Sequence, residues 1–301
     1  MLDIGKNISN INIAQSVQLT PNPKSKKLDS SLPKSKQSAN ALFTFMNKID
    51  YLKNILKTKL IFPRYCRENI EYLKLDNLTE IAFPMKCFCD IFINKLYTHM
   101  NLYGKYGIAL SKEWGLRNKI QPVQYINNSS FIIDSIKDLY DYTQNIHQQI
   151  SIYNNHVPIY NNRTPIYDNI QLYKNLQNIL YDRLRFIKPL YGKMYREGNL
   201  LKNLNFHDEH EWRYILKIDD DNIYPYITEF TDLVSLSNDL TKNPNYGLKI
   251  CSDDIKYLIV KSNTDRKELI YFIMDECPYT KIEKYILISK ILVFNELEVD
   301  W

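Results

Sequence analysis

The chain predicts an α+β fold: a mixed, mostly antiparallel sheet carrying a long inserted helical pair. Strand-like and helix-like stretches are mixed without the strict alternation of a doubly wound parallel sheet. Two long segments, about 130–153 and 165–186, repeat apolar residues at helical spacing. With 45% hydrophobic and 13% aromatic residues in 301 positions, the chain can bury a substantial core.

Taken in order, residues 1–38 are rich in Ser, Asn, Lys, Gln and Pro. Such a segment cannot bury enough apolar surface to offset its ordering entropy, so a disordered basic tail is expected there. The remainder, 39–301, reads as one domain with 128–186 as a helical insertion. Ala41-Leu-Phe-Thr-Phe45 suits a strand. Asn47, with Asp50 three residues on, is placed to cap a helix whose apolar face is Ile49, Leu52, Ile55 and Leu56. Phe62-Pro63 breaks that helix, and a second is expected over 67–73. Residues 81–88 read as a buried strand, in which Pro84 points to an edge position or a bulge.

Asp90 would cap a helix running through 102, with Phe92, Leu96, Tyr97 and Met100 inward. Gly104 ends it, and 107–110 resumes as a strand. A turn of helix around Trp114 and a strand at 122–126 lead to the helical pair. Its first member carries Ile132, Ile136, Leu139, Ile146 and Ile150 on one stripe, so the two helices should pack antiparallel against the sheet. Strands are expected at 211–218, 246–251, 256–261 and 285–294, with a capped helix at 264–275 between the last two.

Charge and cysteine usage narrow the function classes. Of 39 basic and 34 acidic residues, positions 1–40 hold six lysines and two aspartates, which leaves 33 against 32 over the other 261 positions. The folded part is therefore close to neutral, which disfavours a basic nucleic-acid face. Five cysteines, an odd number, with no leader-like opening, read as free thiols in a cytoplasmic protein. No apolar run approaches the ~18 residues that span a bilayer, so no membrane contact is expected.

Scarce residues concentrate in one region. Gly104, Gly107 and Gly115, three of only 7 glycines, lie beside Trp114 and just after Cys87-Phe-Cys-Asp90. Further segments are Phe62-Pro-Arg-Tyr65, Phe83-Pro-Met-Lys-Cys-Phe-Cys-Asp-Ile91, Tyr103-Gly-Lys-Tyr-Gly-Ile108, Pro122-Val-Gln-Tyr125, Lys188-Pro-Leu-Tyr-Gly192, His207-Asp-Glu-His-Glu-Trp-Arg-Tyr214 and Asp254-Ile-Lys-Tyr-Leu-Ile-Val260. On these, running in order from about residue 42, the chain resembles the AbiGi family of bacterial abortive phage-infection proteins, described as antitoxins. The resemblance implies phage defence by abortive infection, as the regulatory or antitoxin component of a two-gene system. The implied partner is a protein, a cognate toxin or another defence component.

Chemistry is best sought in Phe206-His-Asp-Glu-His-Glu-Trp-Arg-Tyr-Ile215. On a strand, Glu209, Glu211 and Arg213 point to one face while His210, Trp212 and Tyr214 point to the other. A carboxylate row ending in a guanidinium is either a catalytic or ligand-orienting edge, or a structural polar network. A carboxylate opening a late strand also resembles ADP-ribosyltransferase-like folds, an alternative reading that implies NAD and makes Glu211 the catalytic carboxylate. It places Thr44, on the early strand, where such folds hold a His, and Cys87, Phe88, Tyr103 and Tyr106 along the nucleotide wall. The missing early His counts against transferase activity.

Cys87-x-Cys89 lacks a second cysteine pair and reads as small buried residues rather than a metal site; the spacing of His207 and His210 is a weak metal signal. The sequence has no GxGxxG, GxxxxGK[ST] or GxSxG motif. The tyrosine-laden loop 153–167 is a candidate interface.

Overall fold

The computed structural model describes residues 37–154, 165–196, 199–218 and 223–297. Most of the tail (1–36) and most of the tyrosine-laden loop, both singled out in the sequence, lie outside the described residues. The elements run β1 (Ala41–Met46), α1 (Ile49–Thr58), β2 (Leu60–Ile61), β3 (Arg64–Asn69), β4 (Glu80–Cys89), α2 (Leu96–Tyr103), β5 (Tyr106–Ser111), α3 (Lys112–Arg117), β6 (Gln121–Pro122), β7 (Gln124–Ile126), α4 (Phe131–Asn154) and α5 (Pro165–Arg185). There follow β8 (Ile187–Pro189), β9 (Tyr191–Arg196), β10 (Asn199–Asn205), β11 (Glu211–Ile215), α6 (Leu233–Leu240), β12 (Leu248–Lys249), β13 (Ile255–Val260), α7 (Asn263–Glu276), α8 (Lys281–Ser289), β14 (Ile291–Val293) and α9 (Phe294–Leu297).

The main sheet has the order β14-β13-β5-β1-β4-β11-β6, with β3 also paired to β4. All of its pairings are antiparallel except β13 with β14, so the α+β expectation holds. At the centre, β4 is lined on one side by β3 and then β1, and on the other by β11, since Met85 faces both Arg64 and Ile215 and Cys89 faces both Phe43 and Glu211.

Four apolar clusters share the two faces. On one face, Leu42, Phe88, Ile108, Trp114 and Leu258 pack under α1, α3, α7 and α8, and Ala82 packs with Leu240 of α6. On the other, Phe43, Cys89 and Ala109 pack with Leu96 and Met100 of α2, while Ile81, Phe83 and Met85 pack with Ile133, Ile136, Leu180 and Leu184 of the helical pair. That pair is antiparallel, because His147 meets Tyr173 at a ring distance of 5.1 Å while the earlier Ile133 and Ile136 share a cluster with the later Leu180 and Leu184. It connects β7 to β8, which lie side by side and parallel.

Several expectations need correction. Residues 64–69 form β3, with only a 3-10 turn at Glu71–Leu73, where a helix was expected over 67–73. Six registered pairs with β4 outweigh the local helical pattern. Pro84 sits in an interior strand and not at an edge. It is tolerated because the β11 ladder ends there: Leu216 N donates to its carbonyl at 3.1 Å, and no partner needs the missing N–H.

Lys48, not Asn47, holds the cap position of α1 and makes no side-chain cap bond. Asp90 caps nothing. It is buried with its carboxylate 2.8 Å from Lys112 Nζ, and the helix begins only at Leu96. Tyr97 is exposed rather than inward. The 246–251 strand shrinks to two residues, and 285–294 is mostly helix: Thr280 and Glu283 cap each other's backbone groups to start α8, leaving only Ile291–Val293 as strand.

Gly104 fixes the join between α2 and β5. Its φ of 126° lies in the left-handed region, its N–H closes α2 on Met100 O at 2.9 Å, and a Cβ there would collide with the Met46 carbonyl. Gly104→Ala is expected to destabilise the fold by at least about 2 kcal/mol, read as a lowered urea midpoint at unchanged slope. A midpoint like that of the wild type would show the turn to be soft.

Candidate functional site

Strand alternation builds the site. Cross-strand partners share a face, so Glu211 projects with Cys89 and Phe43, and Arg213 projects with Cys87. That face lies between the two apolar clusters under α2 and the helical pair. Arg213 is fully buried, with Nε 2.7 Å from Glu211 Oε1 and Nη2 3.2 Å from Glu211 Oε2. Its remaining donors reach the Arg185 carbonyl at 2.8 Å and Glu68 Oε1 at 3.1 Å.

The parallel pair β7–β8 supplies the second half. Registry sets Tyr125 beside Lys188. Tyr125 Oη accepts from Glu211 N at 2.8 Å, while Lys188 Nζ lies 2.6 Å from Glu209 Oε2 and 3.0 Å from Glu211 Oε2. Lys188 Nζ also sits 4.4 Å from the centre of the Phe206 ring. Glu209 ends a 3-10 turn closed by His210 in a left-handed conformation with φ 43°, and its other oxygen accepts from Tyr103 Oη at the end of α2. Four separate segments thus supply two cations and three carboxylates, all buried except the half-buried Glu68, and Tyr103 and Tyr125 join them from α2 and β7.

Burial by itself would raise the Glu211 carboxyl, but Arg213 and Lys188 outweigh it and hold it well below the usual carboxylate range. The same carboxylates override burial to keep Lys188 and Arg213 above their ordinary values. Glu68 goes the other way: burial dominates, Arg213 and Lys188 offset it only in part, and its carboxyl is raised. Beside the group, the Cys66 thiol is lowered and that of Cys87 raised, chiefly through a hydrogen bond between the two. The adjoining void, lined by Glu68, Lys188 and Phe206 among others, measures about 30 Å³.

The structure gathers some of the expected site residues and separates others. Glu209, Glu211, Arg213, Cys87 and Tyr103 all lie at the ion group or touch one of its members. His210 is displaced from it: its side chain is 45% exposed, with Nδ1 3.6 Å from Asp90 Oδ1. Thr44, Phe88 and Tyr106 project from the opposite face of the sheet, where Phe88 meets Trp114 edge to face and Tyr106 packs on the α1 cluster. An ADP-ribosyltransferase arrangement would need Thr44 and Glu211 to line one cleft; the sheet stands between them.

Lys188, Glu68 and Tyr125 are site residues to which the sequence assigns no chemistry. Lys188 and Tyr125 stand only in the segments that carry the family resemblance, and Glu68 falls in the segment expected to be helical. A lysine inside an apolar Ile-Lys-Pro-Leu run was the available signal, since lysine is almost never fully buried unless paired.

Residues 59–261 match a family model described as a candidate abortive phage resistance protein, AbiGi, antitoxin. The chain is also 37% identical over 267 residues to the abortive phage resistance protein AbiGi of Lactococcus lactis subsp. cremoris, a match covering 79% of this chain and 98% of that protein. No solved structure matches.

Lys188→Met should cost about 3–5 kcal/mol in chemical unfolding by leaving buried carboxylates without a partner. Adding Glu209→Gln should restore part of that loss; a cost no larger than that of a surface lysine would mean the group is solvated. The two shifted carboxyls act oppositely with pH. Glu211, depressed below 4.5, contributes stability that is present above that value and lost as pH falls. Glu68, raised above 4.5, makes folding take up a proton, so stability declines as pH rises through its folded value. Glu68→Gln should therefore match the wild type in acid and exceed it at neutral pH in thermal melts. Parallel curves would place Glu68 outside the balance.

Proposed function

Since this chain belongs to the AbiGi family of abortive phage resistance proteins, we propose that its part in abortive infection is that of the antitoxin: a cytoplasmic regulatory protein that restrains a toxic partner by direct contact. The observation that carries this reading is the closure of its most polar site. Every cation of the buried group is already matched by carboxylates at 2.6–3.2 Å. The void beside it has room for about two water molecules and not for a substrate. Such a group holds segments together and leaves its charges paired with one another rather than free to act on a ligand, which favours binding over chemistry. Residues 39–301 would act as one unit, with 128–186 as its inserted arm.

Support also comes from what the fold displays. Among the described residues no helix is long and apolar enough to cross a membrane, while large apolar side chains stand exposed on α4, α5 and α8. Contact surface is what a restraining partner requires.

The test is paired expression. The product of the adjacent gene, expressed alone, should arrest growth, and co-expression with this chain should restore it, the two proteins co-purifying. Arrest that persists on co-expression, or arrest caused by this chain alone, overturns the reading.

A further inference from the structure

The helical arm carries two apolar stripes where one would suffice. The inner stripe, with Ile136, Thr143 and Ile146 on α4 facing Tyr173, Leu180 and Leu184 on α5, is buried. A second stripe runs along the outer side. On α4 it is Tyr142, Asn145, Gln149 and Ile152; on α5 it is Asn169, Leu172, Leu176 and Ile179. Both sets step by three, four and three residues, the spacing of a coiled-coil seam.

These residues are exposed despite their character: Tyr142 by 52%, Ile152 by 55%, Leu172 by 39% and Ile179 by 49%. Between the two seams lies a groove of about 500 Å³ whose lining includes all four α4 positions together with Asn169 and Leu172. A pair of helices buries one seam against itself; a further seam on the same side asks for more helices.

The groove chemistry selects the occupant. None of its lining residues is charged at neutral pH, although charged residues such as Lys174 and Asp182 stand on other faces of α5. A face carrying net charge repels its own copy, but side-chain amides both donate and accept, so Asn145, Gln149 and Asn169 can pair with identical groups across a two-fold axis. From this uncharged, self-complementary pair of seams we infer that the arm docks on the arm of a second copy of this chain, forming a four-helix bundle.

Sedimentation or light scattering of the full-length protein over a dilution series tests this. A dimer is expected, with a melting temperature that rises with concentration. Ile152→Lys and Leu172→Lys, both at exposed positions of the free chain, should each weaken the dimer by about a hundredfold or more, because an unpaired ammonium would be buried. Gln144→Lys, outside the groove, should leave it intact. A monomer at every concentration overturns the inference, and so does a dimer that either groove substitution leaves unchanged. If the arm binds only a different protein, the chain by itself will be monomeric, which is the first of those outcomes.

Discussion

The interaction on which the rest depends is the fit of Arg213 and Lys188 among Glu68, Glu209 and Glu211. Removing such charges from water costs several kcal/mol each, and their attraction offsets this only if geometry is good and the remaining donors are satisfied. Here they are satisfied. Arg213 spends its donors on Glu211, Glu68 and the Arg185 carbonyl. Lys188 bridges two carboxylates against the Phe206 ring. Because the charged partners come from β3, β8, the turn before β11 and β11 itself, shifting any of these segments unpairs a charge.

That closure explains the shape of the sheet. In register, Glu68 pairs with Ile81 and Arg213 with Cys87. Six residues along a flat strand are roughly 20 Å, beyond the reach of the two side chains. Their 3.1 Å contact requires β4 to coil so that its odd-numbered side chains converge. Pro84 stands in the middle of that coil, where the β11 ladder ends and Ile227 takes over the pairing with Ala82. Strand exchange at the proline is what a strongly twisted central strand needs.

Much of this was legible in the sequence. The α+β class, the antiparallel helical pair and the shared face of Glu211 and Arg213 followed from periods of 3.6 and 2. Failures came where tertiary pairing overrode a local pattern. Arg67 and Glu68 looked helical but are held extended by β4. Asp90 looked like a cap but is drawn inward by Lys112. The start of α8 was readable, since Thr280 and Glu283 have the spacing of a reciprocal cap. Its run of Ile, Leu and Tyr favoured strand only because the cap was overlooked. The candidate site was half visible: the carboxylates and Arg213 announce themselves in one motif, whereas Lys188 and Glu68 join through contacts that no local spacing encodes. Thr44 and Phe88 fell on the wrong face for a simple reason. Registering Phe43 with Cys89 sets the parity of both strands, and no single-strand pattern can supply it.

The arm and the buried group are mechanically one object. The last residue of α5, Arg185, gives its carbonyl to Arg213, and three residues later Lys188 enters the cluster. On the other root of the arm, β7 carries Tyr125, which accepts from the backbone of Glu211. Tilting α4 and α5 against the sheet would pull both anchors, unpairing Lys188 at a cost of about 3–5 kcal/mol, besides opening the Ile133, Ile136, Leu180 and Leu184 contacts. A projecting pair of helices is ordinarily a compliant structure, since two helices alone bury little. Clamped at both roots it becomes a rigid presenting surface, and rigidity lowers the ordering cost of binding. The buried charge cluster thus has a structural use: it fixes the direction in which the exposed apolar side chains of the arm point.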